Sequence, residues 1–146
     1  MKKLILGMLG VGVAATVAFA AVTNWYPTNQ ATVAWNPVTA LSDGSPLPAG
    51  SVIKYEVFTA SPDHQNVTSK GVVTVTSTVL SFQAEGRYIV GVRAIREFTD
   101  PADPQTVVTE YSETVWSDDP AYVGAEGTFG ISYIFKPANP TGLRRQ

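Results

Sequence analysis

The sequence predicts an all-β chain, folded as a two-sheet antiparallel sandwich with an extra C-terminal strand. Three observations lead there. Beyond residue 20 no segment carries a sustained helical period of apolar residues. Runs rich in Val, Ile, Thr, Tyr and Phe alternate with clusters of Pro, Gly, Asp and Ser, the punctuation of short strands. Of 146 residues 45% are apolar and 15% charged, which is too apolar for a disordered chain and enough for one packed domain. Six or seven strands without a helix close a core by setting one sheet against another.

The elements follow in order. Lys2 and Lys3 open an apolar run that reaches Ala20, interrupted by Gly7, Gly10, Gly12 and Thr16. Ala18 and Ala20 place small residues where signal peptidase needs them, so residues 1–20 read as a signal peptide of bacterial type, cleaved between Ala20 and Ala21. The alternative is a retained anchor, for which the run is short and lacks basic residues after it. Localisation is therefore expected to be secreted: extracellular, cell surface or periplasmic. The first strand, over 21–26, is weak. Residues 31–36 form a strand that Pro37 stops, and 41–50, with Asp43-Gly44, Pro46, Pro48 and Gly50, form a loop. In 52–59, Ile53, Tyr55 and Val57 share one face. Ser61-Pro62-Asp63 ends that strand, 67–69 is a short edge, and 71–82 is a threonine-rich strand bent near Ser77. Glu85-Gly86 turns the chain. In 88–95 the set Tyr88, Val90, Val92 and Ala94 is apolar throughout and marks a core face. Residues 99–104 read as a loop, 106–116 as one strand, and Asp118-Asp119-Pro120 as its close.

Four of these segments, in this order, carry a family pattern. Ala31-Thr32-Val33-Ala34-Trp35-Asn36-Pro37 resembles the second strand of a fibronectin type III domain, with its core tryptophan and following proline. Ile53-Lys54-Tyr55-Glu56-Val57 resembles the third. Leu80 and then Gly86-Arg87-Tyr88-Ile89-Val90-Gly91-Val92-Arg93-Ala94 resemble the family's leucine and its Tyr-x-Val-x-Val-x-Ala strand. Glu110-Tyr111-Ser112-Glu113 resembles the start of the final strand. The resemblance spans roughly residues 22–118 and implies a fibronectin type III or immunoglobulin-like sandwich that works in binding, spacing or adhesion. It implies no chemistry. On it, Trp35, Tyr55 and Leu80 fill the space between sheets, and Tyr88 packs inward with its hydroxyl on backbone at a corner. The chain departs from the pattern in its weak first strand and in the proline-bearing loop 98–105. It contains no Arg-Gly-Asp tripeptide. The domain boundaries expected are 1–20 signal peptide, 21–118 sandwich, and 119–146 extension.

In that extension Phe129, Ile131, Tyr133 and Phe135 alternate with Gly130, Ser132, Ile134 and Lys136, a strand with one apolar face, followed by an extended tail. Either it closes the domain's own sheet, replacing the weak first strand, or it is a partner strand added to a neighbouring subunit.

Composition excludes much chemistry. The absence of cysteine removes disulfides, thiolate metal sites and a cysteine nucleophile, and the single histidine, His64, removes a multi-histidine zinc site. A formal charge of −2 gives no case for nucleic acid. No nucleophile elbow appears, and no spacing selects a pair of glycosidase carboxylates. Asp100, Asp103, Asp118 and Asp119 read as solvated loop acids and His64 as a surface residue. Asn66-Val67-Thr68 has the form of a glycosylation sequon.

No catalytic residue, cofactor or metal is expected, and the chain reads as a non-enzyme. Contact with membrane is expected only in transit through the signal peptide. The expected work is protein–protein or protein–surface contact. Trp25, Tyr26, Phe98 and Trp116, with Tyr111 and Tyr122, are aromatics left outside the core, so they are the candidate ligand contacts. The alternatives are a structural subunit that self-assembles through its C-terminal strand, and a carbohydrate-binding module that stacks surface polysaccharide on those rings.

Overall fold

The structure, a computed structural model, describes residues 21–145. The expected signal peptide over 1–20 and its cleavage site lie outside the described residues. Among the described residues there are nine strands and no helix.

One strand organises the others. β6 (Gly86–Asp100) is 15 residues long. β3 (Val52–Ala60) runs antiparallel along one of its sides, from Val52 opposite Glu97 to Ala60 opposite Ile89. Along its other side lie, in turn, β9 (Phe129–Tyr133), β8 (Val115–Trp116) and β7 (Asp103–Tyr111). Outside β3 comes β4 (Thr68–Val73), and outside β9 comes β1 (Asn24–Tyr26), which runs parallel to it. β2 (Gln30–Ala34) and β5 (Ser77–Ser81) form a separate antiparallel pair. The two sheets make a sandwich-like arrangement. Val33 and Leu80 from the small sheet meet Val57, Val90 and Ile131 from the large one, with Phe82 beside them.

The alternation of the sequence explains the placement. In β2 only Val33 is fully buried between exposed neighbours, as period-2 geometry requires. Tyr55, Val57 and Thr59 of β3 turn to the core together. Tyr55 meets the Trp35 ring edge-on at 5.4 Å, and its hydroxyl accepts the Val38 N–H at 2.9 Å, which fixes the chain after Pro37. Tyr88 lies against Phe82, ring centroids 4.7 Å apart, and its hydroxyl donates to the Ala84 carbonyl at 2.8 Å. That hydroxyl bond ties down the corner through which the chain leaves the small sheet for β6.

Several expectations change. The loop expected over 98–105 is a tight turn at Pro101-Ala102, because Asp100 and Asp103 cap their own backbone and the strands on both sides continue. The strand expected over 106–116 is broken at 112–114, where the Ser112 hydroxyl takes the place of a backbone acceptor for the Ala94 N–H. The run 71–82 divides at 74–76, and its second half crosses to the other sheet. Beside the expected core set of β6, Ile89 and Ile95 on its alternate face are buried as well. The weak first strand and the C-terminal strand are both kept, paired with one another, and Ile131 is 2% exposed in the core.

The seating of β9 has a measurable consequence. Ile131→Ala is expected to cost about 2–5 kcal/mol in urea unfolding, as for a buried aliphatic truncation. Phe135→Ala, on an exposed ring just beyond the strand, is expected to cost under about 0.5 kcal/mol. Equal, small effects would place β9 outside the cooperative unit.

Candidate interaction face

The face of the large sheet turned away from the small one carries most of the sheet's charged side chains and both of its indoles. Its register places Ile89, Gly91, Arg93 and Ile95 of β6 there, beside Ala60, Phe58, Glu56 and Lys54 of β3. Two indoles cover part of it. Trp116 sits over Gly91, where an added Cβ would lie 2.8 Å from the ring. Trp25 sits over Gly130, where a Cβ would lie 2.5 Å from Trp25 and 2.9 Å from the Tyr88 carbonyl. Glycine is needed at both positions so that an indole can approach the sheet backbone. The guanidinium of Arg87 lies 5.0 Å above Trp25. Ile89, wholly buried, lies in the register between the two glycines.

A polar clamp holds the turn after β3 against this face. Ser61 donates its hydroxyl to Asp63 and to the Gln65 carbonyl, and the His64 N–H returns to the Ser61 carbonyl at 2.9 Å. His64 and Asn66 take φ of 59° and 52°. Asparagine and histidine are among the side chains that tolerate this left-handed region. The bend carries the His64 ring to the edge of Trp116, centroids 5.1 Å apart, and its Nε2 to 2.7 Å from Asp118 Oδ2. Asp118 is 3% exposed, and its second oxygen is buried without a hydrogen-bond partner. Ser117 Oγ accepts the Val90 N–H at 3.0 Å, and the Ser61 hydroxyl donates within its own turn. The pair therefore fastens one segment to another.

A second charged group lies further along. Glu56 accepts two bonds from Arg93, at 2.6 and 3.0 Å, and one from the Ser69 hydroxyl at 2.7 Å. The Ser69 hydroxyl first, then Arg93, holds the Glu56 carboxyl below its ordinary range. The Arg93 guanidinium is flanked by Phe58 at 5.2 Å and Tyr111 at 4.4 Å, which links the centre of the sheet to β7.

β7 itself is bare. Eight of its nine residues are exposed, with Val107 at 66% and Tyr111 at 57%. It pairs with β6 along one side only. A shallow hollow of about 420 Å³ beside its C-terminal end is lined by Leu41, Leu47, Ile53, Arg96 and Glu110.

The structure separates the aromatics that the sequence grouped. Trp25 and Trp116 share a face but are half-buried on their glycines. Tyr26 meets Phe129 edge-on at 6.4 Å at the sandwich opening. Phe98 falls on the opposite face of β6, 3.9 Å beneath the Arg96 guanidinium. They form no common platform. Phe129, Ile131 and Tyr133 lie in β9, taken up by β1 and β6 of the same chain, and only Phe135 projects beyond, its N–H on the Glu85 carboxylate. Asp100, Asp103 and Asp119 do cap turns. Asp118 and His64 do not fit the solvated description, since a pairing across 54 residues leaves no local pattern in the sequence. Among the described residues no three His, Asp or Glu side chains converge as a metal site would require. Comparison with known proteins matches no family model, no curated protein and no solved structure.

Two predictions test the clamp and the charged group. His64→Ala is expected to cost about 3 kcal/mol, because it strands a buried carboxylate, and much less in an Asp118→Ala background. A double-mutant cycle showing no coupling would disprove the clamp. For Glu56, a folded-state pKa below the unfolded one means that its contribution is full above the ordinary value of 4.5 and is lost as pH falls through the folded value. Glu56→Gln is thus expected to flatten the fall of stability below about pH 4.5 while leaving the slope near neutrality unchanged, as read from melting temperature against pH.

Proposed function

We propose that this chain is an exported, non-catalytic sandwich of the fibronectin type III kind, whose work is to make contact with protein through the arm formed by β6 and β7. The observation that carries the reading is β7: a nine-residue strand, exposed at eight positions and paired along one side only. An open strand edge offers a row of backbone donors and acceptors to an extended partner segment. The fibronectin-like reading draws support from the Tyr88 hydroxyl on the Ala84 carbonyl and from Trp35 packed on Tyr55 beneath the proline. Contact through a glycan platform is less well supported, because the candidate rings lie on different faces.

A photoreactive phenylalanine analogue placed at Val107, in cells that export the chain, is expected to yield a protein adduct of defined mass. The same group at Val72, exposed on β4, is expected to yield none. Absence of an adduct at position 107 would overturn the reading.

A further inference from the structure

We infer that β2 takes a further strand along its open side: an extended segment of a partner protein, apolar at alternate positions and ending in a basic residue, which completes the small sheet. This surface is separate from β7.

The small sheet is short of a strand. It consists of β2 and β5 alone, set against a larger sheet whose inner face continues through β9. Beside β2 that face is not fully covered. Two hollows of about 380 and 440 Å³ lie there and share Val33, Ala34 and Phe129 in their walls, so they form one trough. Ile131 stands in the wall of the first, and Val90 and Val115 in that of the second. Val33, Val90 and Ile131 belong to the core, and Phe129 packs against it. The floor of the trough is thus the inside of the sandwich.

The backbone of β2 is open along this trough. The Phe82 N–H donates to the Asn29 carbonyl at 2.8 Å and the Trp35 N–H to the Thr76 carbonyl at 2.9 Å, and the register between them has no shift. Asn29, Ala31, Val33 and Trp35 therefore turn their backbone groups toward β5, and Gln30, Thr32 and Ala34 turn theirs outward. The Thr28 hydroxyl holds both groups of Gln30. Thr32 and Ala34 leave two donors and two acceptors for a neighbour. β5 is open on its outer side as well, but no β5 residue stands in the wall of either hollow. Only at β2 do open backbone and this apolar floor coincide.

These two features set the chemistry of the occupant. In a strand beside β2, alternate side chains drop into the trough about 6–7 Å apart, where apolar groups suit the floor. The side chains between them join the outer face of the small sheet, where Thr32, Ala34, Ser77 and Ser81 are exposed and uncharged. Among the described residues Glu126 is the one charged side chain lining the trough, and it has no ion pair. A basic residue at the end of the segment supplies its counterpart. The C-terminal tail of a second copy fits less well. It carries Arg144 and Arg145, but Pro137 and Pro140 interrupt it, and Leu143 is its one large apolar residue after Lys136.

The test uses the full chain and the peptide Arg-Thr-Val-Thr-Val-Thr-Val-Thr-Arg, with amide hydrogen exchange read by NMR. At about ten times its Kd the peptide is expected to slow exchange at Thr32 and Ala34 about tenfold. Val79 on β5 and Val107 on β7 are expected to be unchanged. The same peptide with glutamate at both ends is expected to bind several-fold more weakly, and Glu126→Lys is expected to reverse that order. Ala34→Pro, which removes an outward N–H and leaves the bonds to β5 in place, is expected to abolish the slowing at Thr32 with little change in melting temperature. No slowing with either peptide, equal binding of the two, or slowing at Val79 in place of Thr32 would overturn the inference. Slow exchange at Thr32 and Ala34 in the chain alone, growing with its concentration, would overturn the partner in favour of a second copy.

Discussion

The structure depends on a strand that is buried on both of its faces. β6 meets the small sheet through Val90 and Val92, and on its other face it buries Ile89, Gly91 and Ile95. Full burial of a side chain such as Ile89 is worth about 1.5–3 kcal/mol, but only if something covers it. In a two-layer arrangement the outer face has no third sheet. Part of the cover consists of single large rings, Trp25 and Trp116, each lowered onto a glycine. That solution constrains the chain widely: β1 must lie beside β9, and the segment after β8 must pass close enough for Asp118 to meet His64.

The same economy governs the charged groups. Buried or half-buried charges are tolerated when each finds a counterpart with hydrogen-bond geometry. Glu56 has the Arg93 fork and a serine, Lys54 lies 2.7 Å from Glu97, and Asp118 has His64. Arg93 joins a carboxylate on β3 to an aromatic ring on β7, so the arm is held to the sheet by more than its ladder.

How much of this was legible in the sequence follows from the range of each interaction. Strand existence was readable because alternation is local, and the core positions of β2 and β3 follow from it. The inward packing of Tyr88 and its backbone bond were also readable, since the acceptor is four residues away. The Asp100–Asp103 turn was hidden by its own composition, because Pro and Asp signal a loop whether it is long or tight. The two-faced burial of β6 was hidden because the sequence marks one core face, and neither the indole over Gly91 nor the rings around Arg93 can be placed from it. The clamp of His64 on Asp118 joins distant segments, and nothing in either of them announces the other. For the candidate site, the aromatic residues could be named but their faces could not, since that depends on where β1, β8 and β9 dock.

The parallel pairing of β1 with β9 has a mechanical consequence. The chain enters β1 at the end where Asn24 faces Phe129, and it leaves β9 at the opposite end, beyond Tyr133. A tension drawn between the entering and departing segments therefore runs lengthwise along both strands. Their hydrogen bonds are loaded together in shear and are not peeled one at a time. For a sandwich tethered at one end and pulled at the other, a strand of only three residues becomes the catch that resists opening.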